Sequence, residues 1–346
     1  THWGKFRARY AYLQGSALRL IRGFDDESLS LMDTKNFIVE SVSGPSMDRQ
    51  FRITAKDLLK FLDDDRAQAP LPNSGKLSAA LTSGGTSATL TPTGIGNAEY
   101  AASGFVCIGG KEVCAFTRSG NVLTLTRGQK NTTAIAHDAD ERVQQCLTYA
   151  SADVATIIRD LMVSFARIQP TFIPYSAWLA ETGAYLGVLY SGTITEPTGV
   201  KQLISELIEQ AGLCIWPSDD PFQINLQVLR QIATSASVID ENIIMSEGGS
   251  SSLQIMDQPD KRASQIWTFF GQRDPTRPLS EESNYAGIEI EIDTDAEADY
   301  SKVAAIKMGH PSERTNAFAQ SCAILLVRRE IGSARTLFAE KIFMLR

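Results

Sequence analysis

The residues able to do chemistry are few and scattered. Three histidines, His2, His137 and His310, stand far apart, and no two share the close spacing of metal ligands. The five cysteines, Cys107, Cys114, Cys146, Cys214 and Cys322, include no Cys-x-x-Cys pair. An iron–sulfur cluster takes Cys ligands, and Cys107, Cys114 and Cys146 fall in one segment; on strand positions they read as small packing residues instead. Neither a metal nor a cofactor is expected. A serine nucleophile needs a sharp Gly-flanked turn, which Gly44-Pro45-Ser46 and Gly84-Gly85-Thr86 do not supply. Gly94-Ile95-Gly96 is followed by no helix-forming run, which argues against a phosphate cradle. Forty acids leave a glycosidase-like carboxylate pair open but unsupported.

Two acidic features stand out. Asp63-Asp64-Asp65 reads as a solvated turn. In the second, Ile288, Ile290 and Ile292 alternate with Glu289, Glu291 and Asp293, after which Asp295, Glu297 and Asp299 follow at every second residue. One strand face is apolar and the other a ladder of carboxylates. That ladder reads as a solvated outer face, an acidic channel-lining face (Glu289, Glu291, Asp293, Asp295) or a calcium site, although the Gly and terminal Glu of a calcium loop are absent.

These residues must be positioned by a chain of 346 residues, 43% apolar, with a net charge of −7. The length allows two or three domains with a sizeable core. No apolar run approaches the ~18 residues of a membrane span, so stable membrane insertion is not expected. The negative balance argues against a general grip on nucleic acid, yet suits a surface past which DNA slides without sticking, since like charges repel over about 8–10 Å. The odd, dispersed cysteines fit reduced thiols in a protein assembled in a cytoplasm. Thr1 opens directly into a strand-like run, so a preceding segment is expected.

Along the chain, His2 to Leu13 alternates, with Phe6, Ala8, Tyr10 and Tyr12 on one face and Lys5, Arg7 and Arg9 on the other, which predicts a half-buried strand. Further strands are expected at Ala17–Ile21, Phe37–Val42 and Gln50–Ala55, then a short helix from Lys56 to Asp64. Composition changes at Arg66. Residues 66–149 read as an inserted β unit with a hairpin about Gly109-Gly110 and a third strand, Val122–Thr126, after a Ser-Gly-Asn turn. A helix is expected from Ser151, and another from Pro197 with Val200, Leu203, Ile204, Leu207 and Ile208 inward and Gly212 as its stop. Trp178–Tyr190 is ambiguous. Strands return at Leu213–Trp216, Ile224–Leu229, Gln265–Phe270 and Ala286–Asp293, with a last helix near Glu313–Glu330 and a closing strand over Ala334–Leu345. The expected class is α+β: two mainly antiparallel β barrel-like domains (1–65 and 224–346), a small β insertion (66–149) and a helical middle domain (150–223).

Residues 124–146 read as a strand, an Arg127-Gly128-Gln129 turn, Thr132-Thr133, and a small-residue stretch with His137. Arg127 and Gln129 are candidates for locking this loop onto backbone carbonyls, with His137 beside them. The stretch resembles an element of tail proteins from tailed bacteriophages, in which such a turn follows a hairpin opening with an Ile-Gly step, here Ile108-Gly109. Other pieces agree in order: Trp3-Gly4-Lys5-Phe6-Arg7-Ala8-Arg9 looks like the family's tryptophan-bearing strand. Ile53-Thr54-Ala55-Lys56-Asp57-Leu58-Leu59 with Asp64-Asp65-Arg66-Ala67-Gln68-Ala69-Pro70 looks like its helix and exit. Ile194-Thr195-Glu196-Pro197 and Ile215-Trp216 look like its middle domain.

The resemblance implies a non-enzymatic tail-tip or baseplate hub component of the virion, closing the tail tube. It implies a homotrimer that contacts a distal tail or tube protein, the tape measure protein and a tail fibre, with DNA passing through an acidic lumen without specific binding. Alternatives are a tail-associated cell-wall-degrading hydrolase, or a receptor-binding module with Trp178, Tyr185 and Tyr190 as candidate contact aromatics.

Overall fold

The first residues fold as a helix, α1 (His2–Arg9), and not as the expected strand. The computed structural model that shows this describes residues 2–26, 28–46, 50–229, 253–257, 264–292, 294, 305–310 and 335–339. The physical reason is in the sequence: residues 2–13 contain no β-branched side chain, and Trp3, Phe6 and Tyr10 also fall at helical spacing. Trp3 stacks on Phe51 with ring centroids 4.8 Å apart, and Phe6 meets Tyr10 at 5.1 Å. The stretch that resembles a tryptophan-bearing strand is therefore helical here.

The chain divides into two compact units, Thr1–Val228 and Leu229–Arg346. In the first, β1 (Ala17–Arg22), β2 (Asp33–Ser43) and β3 (Arg52–Lys56) form an antiparallel meander in that order. Val39 is the one buried residue among those described from 2 to 56. A 3-10 turn over Leu58–Asp63 follows, capped by Asp57, whose Oδ1 accepts the Leu59 N–H at 3.0 Å.

After β4 (Gln68–Ala69) come β5 (Lys76–Leu77), β6 (Ser87–Thr91), α2 (Ile95–Glu99), β7 (Ser103–Ile108), β8 (Glu112–Ser119), β9 (Val122–Gln129) and β10 (Val143–Gln145). A short helix does therefore follow Gly94, contrary to expectation. It is no phosphate cradle, because the N–H groups of Gly94 and Gly96 both donate to Asn121 Oδ1 at 3.1 Å. The six strands β5 to β10 make an antiparallel sheet in the order β10-β7-β8-β9-β6-β5. Its two ends meet: Lys76 bridges Arg142, the Leu77 N–H donates to Glu141 O at 2.9 Å, and the Val143 N–H donates to Gly75 O at 3.0 Å. The sheet closes into a small barrel without free edges. Alternation sends Val106, Ile108, Cys114, Phe116, Leu123, Leu125 and Val143 into one apolar core. Gly109 and Gly110 take φ of +59° and +70° in the β7–β8 turn, and a Cβ at Gly109 would collide with the Glu141 carboxylate.

Beyond the barrel, β11 (Leu147–Asp153) pairs with β12 (Leu189–Ile194), and α3 (Val154–Asp160) and α4 (Tyr175–Tyr185) pack between them in sequence. The α3 cap is Asp153, which accepts the Ala155 N–H at 2.8 Å; Ser151 sits outside, at φ +49°. β13 (Thr198–Gly199) pairs back onto β4 and leads into α5 (Val200–Ala211), then into the hairpin of β14 (Leu213–Asp219) and β15 (Phe222–Val228). Trp178 is fully buried here, its indole N–H donating to Ile224 O at 3.1 Å, and it packs with Ile158, Leu161, Met162 and Tyr190.

In the second unit, β16 (Leu253–Asp257) pairs with residues 335–339. β17 (Gln265–Gln272) lies between β18 (Tyr285–Ile292), antiparallel to it, and β19 (Ala305–His310), parallel to it. β20 (Arg335–Ala339) is the described part of the expected closing strand. The helix expected near Glu313–Glu330, with Cys322, lies outside the described residues, as do Asp293 and Asp295. The whole is a mixed α and β protein with mostly antiparallel sheets, one of them a barrel. Among the described residues no helix is long and apolar enough to cross a membrane.

Candidate functional site

Strand alternation that fills the barrel with apolar side chains also sends one carboxylate inward. Glu112 begins β8 on the same face as Cys114 and Phe116, and its side chain is wholly buried. A buried carboxylate must be paired and hydrogen-bonded. Arg127, on the inward face of β9 after Leu123 and Leu125, meets it with Nε–Oε1 at 2.8 Å and Nη2–Oε2 at 2.7 Å, a bidentate fork. The Gly128 and Ile135 N–H groups donate to the same carboxylate at 2.9 and 3.0 Å.

His137 completes the cluster. Its Nε2 lies 3.1 Å from Glu112 Oε2, and its Nδ1 lies 2.6 Å from Glu141 Oε2. The ring thus bridges the two carboxylates. Arg127 commits its other N–H groups to carbonyls: Nη1 to Thr82 O and Gly85 O at 2.8 and 2.9 Å, and Nη2 to Ile135 O at 2.5 Å. All five guanidinium donors are used.

The titration of the cluster follows. Burial alone would raise the Glu112 carboxyl, but the Arg127 guanidinium, the Ile135 and Gly128 N–H groups and His137 outweigh it and hold the group down to about 2. Glu141 is also lowered, with burial opposing and His137 prevailing. The Cys114 thiol is pushed up to about 12, by burial first and then by the Glu112 charge. A thiol so held is a poor nucleophile.

Gln129 sits one turn away. Its side chain donates to Arg127 O at 3.1 Å, and its carbonyl accepts from Thr132 Oγ1 at 2.6 Å, a hydroxyl that also receives the Val113 N–H at 3.0 Å. Lys130 and Asn131 take positive φ of 53° and 58° to make that turn. Of the sequence candidates, then, Arg127 and His137 converge on Glu112, and Gln129 stands beside them. Glu112 and Glu141 went unread, although one charge on the apolar face of an alternating strand is a signal that a buried partner exists.

The remaining candidates lie elsewhere. Glu289 and Glu291, in the second unit, are half-buried, whereas Ile288, Ile290 and Ile292 are 41%, 43% and 48% exposed. The glutamates lie on the face of buried Ile266 and Thr268, and the isoleucines on the other face. Of the aromatic candidates, Trp178 and Tyr190 belong to the core and Tyr185 is exposed. Asp63 is paired with Lys201 at 2.7 Å, and Asp64 Oδ1 accepts the Arg66 N–H at 2.9 Å. The described cysteines Cys107, Cys114, Cys146 and Cys214 are free thiols, and no group of three or more His, Cys, Asp or Glu able to hold a metal occurs among the described residues. A cleft of about 340 Å³ lies outside the barrel wall, between Cys107, Gly110, Arg142 and Gln144 on one side and Thr195–Pro197 on the other.

Fold and site together define a mostly antiparallel protein built around a small β-barrel with an ionic plug. No protein-family model matches the chain, and no curated protein matches it. Among solved structures it is similar to the 43 kDa tail protein of prophage MuSo2 from Shewanella oneidensis. The identity is 10%, the TM-score is 0.32, and the match covers 86% of this chain and 80% of that one.

Proposed function

We propose that the chain is a structural component of a phage-like tail tip or baseplate hub, with no bond-making step of its own. What supports this reading is that the residues carrying the sequence resemblance, Arg127, Gly128, Thr132 and His137, lie in the buried plug of the barrel and the turn beside it. Each spends its polar atoms on the protein itself. A reaction centre needs a reactive group facing space for substrate. Here the Glu112 and His137 side chains are fully buried and Arg127 has no donor left. The plug fixes shape.

As a hub the chain assembles as a homotrimer about an axial pore, meeting tube or distal tail protein, tape measure protein and fibre. Its net charge of −7 keeps DNA from adhering as it passes. The test is an antibody against the chain applied to tail particles under the electron microscope, alongside images of the purified protein. Labelling confined to the tail tip and ring-shaped particles are expected. Labelling of the head, or release of peptidoglycan fragments by the purified chain, overturns the reading.

A further inference from the structure

The cleft outside the barrel wall holds two unlike charges that do not pair. Among the described residues that line it, only Arg142, just before β10, and Glu196, between β12 and β13, are charged. The Arg142 guanidinium is held in place: Nε donates to Asn73 O at 3.1 Å and Nη2 to Gln144 Oε1 at 2.9 Å. Gln144 is itself buried, and its Nε2 donates to Leu71 O at 2.9 Å and to Asn73 Oδ1 at 2.8 Å. Three of the five N–H donors of Arg142 are left over, and no carboxylate pairs with it among the described residues. The Glu196 carboxylate likewise has no hydrogen-bond or ion-pair partner among them.

Strand pairing keeps the two walls where they are. Arg142 O accepts the Gly109 N–H at 2.9 Å, and Arg142 bridges Lys76 where the barrel closes. Glu196 lies between Ile194, paired with Leu147, and Thr198, paired with Ala69. Gly110 leaves Glu196 reachable, because a Cβ there would stand 3.0 Å from Glu196 Oε1. The cleft is preformed, so filling it costs little in ordering the protein.

We propose that this cleft binds a small zwitterion, an amino acid or short peptide whose carboxylate meets Arg142 and whose ammonium meets Glu196. Charge selects the ligand. A simple anion drawn to Arg142 is repelled by Glu196, and a simple cation drawn to Glu196 is repelled by Arg142. A molecule carrying both charges satisfies both walls, and the free guanidinium N–H groups suit a carboxylate. A volume of about 340 Å³ limits it to a few residues, at the small end of ligand sites. The inference does not rest on the hub reading; it adds a ligand site to the same chain.

The test is saturation-transfer NMR on the full chain with glycine, Gly-Gly and Gly-Gly-Gly, followed by titration of whichever binds. N-acetylated and C-amidated forms of the same molecules serve as single-charge controls on the unaltered protein. At least one zwitterion is expected to bind, and each of its blocked forms to bind about tenfold or more weakly. Arg142→Gln and Glu196→Gln are each expected to weaken the zwitterion by a similar factor. Glu196 has no side-chain partner to lose among the described residues, so its effect reads binding and not folding. No binding by any of the three below about 10 mM overturns the inference. Equal binding of the blocked forms, or unchanged binding in Glu196→Gln, overturns it as well. Tail-tip labelling decides the hub reading separately, whichever result is found.

Discussion

The barrel of residues 76–145 and the sheet of residues 17–56 are both antiparallel, yet they satisfy themselves in opposite ways. The barrel joins its first and last strands, fills its interior with apolar side chains, and pairs its inward charges on one another. The sheet leaves β1 and β3 each paired on one side only, buries Val39 alone among its described residues, and displays Leu20, Phe24, Leu29 and Leu31. Three strands hold together independently only when they have an apolar face to bury. The barrel is therefore complete as a body, while the sheet packs on the rest of the first unit through Asn36 and Ile38 and keeps much of its apolar surface exposed.

The largest effect should come from breaking the plug. Glu112→Gln keeps the shape of the side chain but leaves Arg127 facing no counter-ion inside the barrel, while His137 keeps Glu141 alone. Removing one partner of a buried pair costs about 3–5 kcal/mol. Chemical denaturation should show that loss, and hydrogen exchange should place it in residues 76–145, with residues 17–56 unchanged. A loss under about 1 kcal/mol, or one spread evenly over both regions, would remove the contrast. The double change Glu112→Met with Arg127→Met should recover part of the loss, because no buried charge then stands alone.

Acid should act on the same group. The Glu112 carboxyl is held at about 2, below its ordinary 4.5, so ionisation is easier in the folded protein than in the unfolded chain. Its contribution is complete above about pH 4.5 and disappears as the pH falls towards 2, an effect of about 3 kcal/mol. Denaturation midpoints between pH 6 and pH 2 should fall steeply in the wild type, and less in Glu112→Gln. Parallel curves for the two proteins would show that Glu112 is not the group responsible.

How much of this was legible before the structure depends on how far each partner lies along the chain. The meander strands, the Gly109-Gly110 hairpin and the apolar stripe of α5 are local patterns, and they stand where the residues say. The plug was half legible: Arg127 and His137 drew notice in their loop. Their shared partner Glu112 lies 15 and 25 residues upstream, across a barrel that no local pattern reveals. The opening helix was misread because alternation and helical spacing coincide over Phe6 and Tyr10; the lack of β-branched residues over 2–13 favours the helix, and Trp3 and Phe6 pack on Phe51 in it. The alternation of β18 was correct as a pattern. Which of its faces turns inward depends on what packs against β17, and that is not written in β18.

A smaller effect tests the join between turn and plug. Gly109 holds φ at +59°, and any Cβ there meets the Glu141 carboxylate that faces His137. Gly109→Ala should cost about 1–2 kcal/mol, from the unfavourable backbone and the displaced carboxylate together. A crystal structure of the variant should show Glu141 moved from His137 with the Glu112–Arg127 fork intact. A shift of the fork as well would mean that the plug is one indivisible network.

The smallest effect should be found where apolar residues are most conspicuous. Leu29 and Leu31 are 70% and 77% exposed, so in the isolated chain they contribute almost nothing by burial. Leu29→Ser with Leu31→Ser should change stability by no more than about 0.5 kcal/mol, while raising solubility and lowering dye binding to exposed apolar surface. The same pair of changes costing several kcal/mol would mean that the sheet already has its cover within one chain. The barrel and the sheet would then differ in topology alone, and the open surface would need no second molecule to explain it.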